Sequence, residues 1–153
     1  MGTNNEIIWV FKPFAELSAE ELYDILTLRS RVFVVEQQCI FLDMDGLDKP
    51  AHHLAGYVDG SLVASTRILA AGIAYPGYPS IGRVVTAPEA RGKAYGFKLM
   101  EESLRRLYEL YGNVPVKIGA QLYLKRFYES LGFLQSGDMY LEDGIEHIPM
   151  VKR

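Results

Sequence analysis

The residues with most to say about chemistry lie between Ile81 and Met100. Ser80 to Thr86 has the apolar pattern of a strand. Its last residues, Val84, Val85 and Thr86, lead through Pro88-Glu89-Ala90 into a small-residue turn, Arg91-Gly92-Lys93-Ala94-Tyr95-Gly96, that opens a helix. A strand feeding a helix through such a turn aims unpaired backbone amides and the positive helix end at one point, which suits an anion such as a pyrophosphate. Small side chains let a bulky anion approach the backbone closely. The plain alternative is that Gly92 and Gly96 only make a tight turn. Two nucleotide motifs fail on spacing: the P-loop needs Ser or Thr after Gly-Lys, and Gly92-Lys93 is followed by Ala94, which also breaks Gly-x-Gly-x-x-Gly.

Proton transfer would need a titratable side chain near that turn. Glu36 directly follows an apolar segment, where partial burial would raise its carboxyl toward neutrality. His53 opens a strand behind an acidic loop and His147 follows the last hairpin turn, and imidazole is the side chain that ordinarily titrates near neutral pH. Each serves equally well as a structural polar group, and a water relay could replace any of them. The chain has 10 tyrosines, each an apolar body with a hydroxyl that needs a partner. Tyr128 shares a helical face with Leu124 and Leu131, so periodicity alone makes it a core residue. Cys39 has no accompanying Cys-His pattern and reads as a structural thiol.

These groups must be positioned by a scaffold, and its order can be read along the chain. Ile7 to Phe11 is a short strand closed by Lys12-Pro13. Ser18-Ala19-Glu20-Glu21 is a capping box that opens a helix running to about Val35. Glu36 to His52 is a loop rich in acids and turn formers, with Asp43, Asp45 and Asp48. Strands at His53–Val58 and Leu62–Leu69 flank the hairpin dipeptide Asp59-Gly60. Ala70 to Pro79 is a second loop. After the strand at Ser80–Thr86 comes a helix ended by Gly112-Asn113, then a strand at Val116–Gly119 and a compact helix with Gly132 at its C′ position. Strands at Leu134–Leu141 and Ile145–Val151 bracket Asp143-Gly144. The order β-α-β-β-β-α-β-α-β-β predicts an α/β chain (α+β by some schemes), a mixed central sheet of about six to seven strands with flanking helices.

Composition removes several function classes. The chain has 153 residues, 49% hydrophobic and 23% charged, enough for one buried core, and residues 1–153 read as a single domain without repeats or linkers. One cysteine cannot form an intrachain bridge, and no paired-cysteine zinc site is available; no metal is expected. A net charge of -3 argues against binding nucleic acid through its backbone. No apolar run reaches the roughly 20 residues of a membrane span, and the N-terminus lacks the pattern of a secretory signal. Glu6 stands where a myristoylated Met-Gly chain wants Ser or Thr. The expected location is cytoplasmic, without membrane or nucleic-acid partners, and a homodimer is compatible with the sequence.

The turn Arg91-Gly92-Lys93-Ala94-Tyr95-Gly96 resembles the Gln/Arg-x-x-Gly-x-Gly/Ala signature of the GNAT superfamily of N-acetyltransferases, with Ala94 where the first motif glycine is usual. Phe127-Tyr128-Glu129-Ser130-Leu131-Gly132-Phe133 is similar to the Phe-Tyr-x-x-Leu-Gly-Phe stretch after that superfamily's fifth strand. Gln121 stands where many members carry Asn. The segments Val32–Gln37, Asp45-Gly46, Ile81–Val84, Gly119–Gln121, Glu142–Ile145 and His147-Ile148 resemble the ElaA-like branch. The resemblance implies the GNAT acyltransferase fold over the whole chain, with a splayed strand pair flanking an acyl-CoA cleft.

It also implies roles. The expected activity is transfer of an acetyl group from acetyl-CoA, as acyl-donor co-substrate, to a primary amine of a small molecule or peptide by direct attack in a ternary complex. The cradle for CoA would be Arg91, Gly92, Lys93, Ala94, Tyr95 and Gly96, with Val84, Val85 and Thr86 offering backbone groups and Gln121 flanking the pantetheine arm. Lys93 reads equally as a solvated loop lysine. Tyr128 would be the general acid, a phenol well matched to reprotonating a thiolate. Glu36, His53 and His147 are the candidate bases, His147 also a candidate substrate contact. Asp43, Asp45 and Asp48 could attract a cationic acceptor, and Arg31, Arg67 and Arg83 could equally hold a carboxylate. Arg29-x-x-x-Phe33, Asp45-x-x-Asp48 and Arg67 also resemble acyl-homoserine-lactone synthases, which share the fold; a non-catalytic acyl-CoA sensor is the third reading.

Overall fold

The computed structural model describes residues 6–153. The Met-Gly opening lies outside the described residues. Strand β1 (Ile8–Pro13) pairs antiparallel with β2 (His52–Val58), β2 with β3 (Ser61–Leu69), and β3 with β4 (Ser80–Thr86), giving one four-stranded sheet. The β2–β3 turn is the expected one: Asp59 and Gly60 take φ 49° and 79°, the doubly left-handed geometry of a two-residue hairpin. Between β1 and β2 the capping box forms as expected, with the Glu21 amide donating to Ser18 Oγ (3.0 Å) and the Ser18 amide to Glu21 Oε1 (2.9 Å). Helix α1 covers only Ala19–Arg29, however. The remainder of the predicted helix, Ser30–Glu36, widens into a π-helical turn.

The second sheet is built around β8 (Ile145–Lys152), with β5 (Val116–Gln121) on one edge and β6 (Phe133–Gln135) and β7 (Tyr140–Glu142) one after the other on the opposite edge. The single strand expected at Leu134–Leu141 is therefore two. It breaks opposite Pro149, which has no amide to donate and whose carbonyl accepts from the Ser136 amide at 2.8 Å. The described strands number eight, in two four-stranded sheets, rather than the six to seven of one continuous sheet. The mixed α/β layering that the sequence implied is the one observed.

Helix α2 (Tyr95–Tyr111) joins the sheets. Its Tyr95 and Leu99 pack with Leu54, Val63 and Val85 against the first sheet, while Met100, Leu104 and Leu107 pack with Ile118, Ile148 and Met150 against the second. The short helix α3 (Lys125–Glu129) follows β5; Gly132 (φ 96°) lies two residues past its Ser130 cap, one further than expected. Near the start of both strands the Lys117 amide of β5 donates to the Pro79 carbonyl just before β4, at 3.1 Å. Farther along, β4 carries a bulge: Gly82 and Val85 face Arg67 and Ser65, so three steps on β4 oppose two on β3, with Arg83 at φ 47°. Past this bulge the walls of the two sheets enclose a cleft.

Candidate active site

The cleft is a cavity of about 1010 Å³. Val84, Val85 and Thr86 from the end of β4 line one wall and Gly119 and Gln121 from β5 the other; Tyr128 of α3, Arg91 and Gly96 lie on it as well. The tertiary structure thus brings together residues that the sequence separates by more than sixty positions at β4 and β8.

At the anion end, Gly92 (φ 84°) and Ala94 (φ 60°) are both left-handed. Ala94 caps α2 in that conformation, which accounts for the glycine usual at this position: a Cβ there costs roughly 1–2 kcal/mol. No atom lies within 4 Å of where a Cβ on Gly92 would stand, so the backbone is open to a bulky group. The Lys98 amide donates to the Ala94 carbonyl at 3.2 Å, and the first turn of a helix leaves the amides before it without an intrahelical acceptor. Tyr95 offers only its backbone, because its ring is buried in the core. Lys93 is exposed. Geometry and charge here fit an acyl-CoA pyrophosphate.

The titratable candidates separate cleanly. Tyr128 lines the cavity, 4% exposed, with Phe127 and Phe133 edge-on to its ring, and burial raises its phenol well above the ordinary value. His147 also lines the cavity. Its Nδ1 is 2.8 Å from the Ile145 carbonyl, its Nε2 3.4 Å from Glu142 Oε2, and its ring stacks on Tyr140 at 5.7 Å. Glu36 lies on the cavity too, but the expectation of a raised carboxyl is corrected: it makes two hydrogen bonds with Arg91, at 2.7 and 2.9 Å, which lower its pKa. His53 is not on the cavity. It is 1% exposed, its Nε2 2.9 Å from the Asp48 carbonyl, and burial lowers its pKa.

The acidic loop is not an open attractor for an amine, nor are the arginines free for a carboxylate. Arg29, itself 1% exposed, pairs with Asp43 (2.8 Å) and Asp48 (2.7 Å); Arg67 pairs with Asp45 (2.7 Å) and Asp48 (3.1 Å); Arg83 pairs with Asp43 (2.8 Å) and Asp45 (3.4 Å). Burial would push the Asp48 and Asp45 carboxyls up, but the arginines outweigh it and both sit below the ordinary range. Arg31 pairs with Glu89 at 2.8 Å. The residues that suggested a lactone synthase are thus engaged with one another. Cys39 Sγ contacts the Asp143 carbonyl at 3.2 Å.

Among the cavity residues to which sequence reasoning gave no role, Gln37, Tyr75, Tyr140 and Glu142 stand out by their contacts. Gln37 exchanges side-chain hydrogen bonds with Gln121 at 3.3 and 3.4 Å. The Tyr75 and Tyr140 hydroxyls meet over Gly119 of β5, and Glu142 stands beside them. A Cβ on Gly119 would collide with the Tyr140 hydroxyl and crowd that of Tyr75 at 3.1 Å, so only glycine admits the pair. The surplus of tyrosine was the one available signal; which of them meet is a matter of topology.

Comparison with known proteins gives one consistent result. A family model described as an acetyltransferase (GNAT) domain matches residues 18–153. A UPF0039 protein of Synechocystis is 42% identical over 97% of this chain and 96% of its own, and the protein ElaA of Escherichia coli is 39% identical over 95% and 96%. The crystal structure of Escherichia coli ElaA superimposes with a TM-score of 0.89 over 97% of this chain and all of its own. That of an acyl-CoA N-acyltransferase from Pseudomonas aeruginosa does so with 0.90, at 40% identity, again over 97% and 100%.

Proposed function

Because this chain belongs to the GNAT acetyltransferase family, in its ElaA-like branch, we propose that it transfers an acetyl group from acetyl-CoA to a primary amine by direct attack within a ternary complex. The reading is supported by one observation above all: Val84–Thr86, Arg91, Gly96, Gln121, Tyr128 and His147 border a single cavity.

Acetyl-CoA supplies the acyl group as a thioester. The α2 amides and the Arg91 guanidinium hold its pyrophosphate, with charge-assisted hydrogen bonds the strongest available there. Backbone groups of Val84–Thr86, beyond the β4 bulge, align the pantetheine and polarise the thioester carbonyl, and Gln121 borders it from the other wall. His147 is the base for the acceptor ammonium, since it is the candidate that reaches the cavity without an arginine partner. As the C–N bond forms and the C–S bond breaks, Tyr128 gives its proton to the departing thiolate and regains one from the nitrogen as it becomes an amide. Its raised pKa keeps it a proton donor at neutral pH.

Calorimetric titration with acetyl-CoA, followed by a thiol-release assay over a panel of amines, tests this. Absence of binding up to about 1 mM, the upper end of ordinary KM values, overturns the reading. Binding without turnover of any amine would instead identify a sensor.

A further inference from the structure

Resting on the proposed N-acyltransferase reading, the charge balance of the cavity selects among acceptors. Its arginines are Arg67, Arg83 and Arg91, and each is already matched by a carboxylate of the protein: Arg67 and Arg83 by Asp43, Asp45 and Asp48, and Arg91 by Glu36. Among the described residues no lysine lines it. What remains uncompensated by arginine are Glu142 and Asp143, at the tip of the β7–β8 hairpin. An acceptor carboxylate would meet no unmatched arginine in the cavity and two like charges at the hairpin tip.

The same wall is aromatic. Tyr75 and Tyr140 close over Gly119, and the His147 ring stacks beneath Tyr140. Just outside, the protein's own alkylammonium rests on one of these tyrosines: Lys117 Nζ stands 4.9 Å from the Tyr75 ring centroid and 5.8 Å from that of Tyr78. If acyl-CoA draws Arg91 away, Glu36 adds one more negative charge to the cavity.

We infer that the acceptor is a small aliphatic diamine or polyamine without a carboxylate, its reacting nitrogen at His147 and its distal ammonium held by Glu142 and Asp143 against the Tyr75–Tyr140 wall. The near nitrogen enters as an ammonium and gives up two protons, one to His147 before it attacks and one as the amide forms, which replaces the proton that Tyr128 gives the departing thiolate; the distal nitrogen keeps its charge.

Acetyl transfer to three acceptors of one chain length, 1,4-diaminobutane, butylamine and 4-aminobutyrate, tests this, with acetyl-CoA binding measured alongside by calorimetry. The expected order of kcat/KM is diamine, then butylamine, then the amino acid, and the diamine KM should rise with ionic strength. Glu142→Gln with Asp143→Asn should lower the diamine-to-butylamine ratio by about fivefold, the scale of partly exposed ion pairs, and leave acetyl-CoA affinity unchanged. Asn-Gly suits the left-handed hairpin turn as well as Asp-Gly, so the variant keeps the fold. Turnover of 4-aminobutyrate at or above that of the diamine, or an unchanged ratio in the double variant, overturns the inference while the acyltransferase reading stands. So does acetyl-CoA binding with no turnover of the diamine. Failure to bind acetyl-CoA at all overturns the acyltransferase reading itself.

Discussion

Glu36 and Arg91 meet at the edge of the cleft through two hydrogen bonds of 2.7 and 2.9 Å, and the next residue, Gln37, bonds to Gln121 on the opposite wall. The end of the π-helical turn therefore touches both sides of the cavity at residues assigned to the CoA cradle. The pair is half exposed, at 44% for Arg91 and 39% for Glu36, so its contribution is at most about 1 kcal/mol.

Arg91 cannot serve Glu36 and a pyrophosphate fully at once. Glu36→Gln is expected to lower the acetyl-CoA Kd by roughly two- to fivefold, as release of such a surface pair allows, with kcat nearly unchanged. Isothermal titration and steady-state kinetics give both numbers. A collapse of kcat would instead return Glu36 to the role of base.

On the proposed mechanism Tyr128 and His147 handle opposite protons, so their variants should differ. Tyr128→Phe is expected to reduce kcat by about a hundredfold or more, the usual share of a general acid, with acetyl-CoA affinity preserved. Burial holds the phenol protonated through the neutral range, so no alkaline loss of activity near neutrality should trace to it. His147→Gln should lower kcat/KM by a similar factor. Rates across pH for the three proteins decide this.

Ala94 is held at φ 60°, where glycine has no steric penalty. Ala94→Gly should stabilise the fold by roughly 0.5–1 kcal/mol, the relief of left-handed strain less glycine's greater unfolded entropy. Urea denaturation reads the change, and acetyl-CoA affinity should hold.

The buried ion cluster makes stability fall in acid in two windows. His53 is shifted below 6.5 by burial, so its contribution is complete above about pH 6.5 and declines as pH falls toward the folded value. Asp45 and Asp48 are shifted below 3.8 despite burial, because of the arginines; their contribution is complete above about pH 4 and is lost as pH falls through their folded values. His53→Gln should flatten the first window only, in denaturant midpoints measured from pH 8 to 3. Arg29→Ala, which leaves Asp43 with Arg83 alone and Asp48 with Arg67 alone, should cost about 3 kcal/mol at neutral pH, the low end for a broken buried pair.

Local chemistry was enough for the sequence to determine the capping box at Ser18 and Glu21, the left-handed hairpin turns at Asp59-Gly60 and Asp143-Gly144, the alternation of strands and helices, and the small-residue turn from Arg91 to Gly96. Each depends on residues within a few positions of one another. The break at Pro149 that splits β6 from β7 depends on the neighbouring strand, and the sequence of the broken segment does not carry it. Charges were the least legible, because an acid's partner is set by the fold: Asp43, Asp45 and Asp48 look like an open acidic loop until Arg29, Arg67 and Arg83, from α1, β3 and β4, neutralise them. In the same way tertiary structure alone turned Glu36 toward Arg91, buried His53, and left His147 on the cavity beside Glu142. Short-range sterics and hydrogen bonding are written in consecutive residues, whereas electrostatic compensation is decided only when distant segments are packed together.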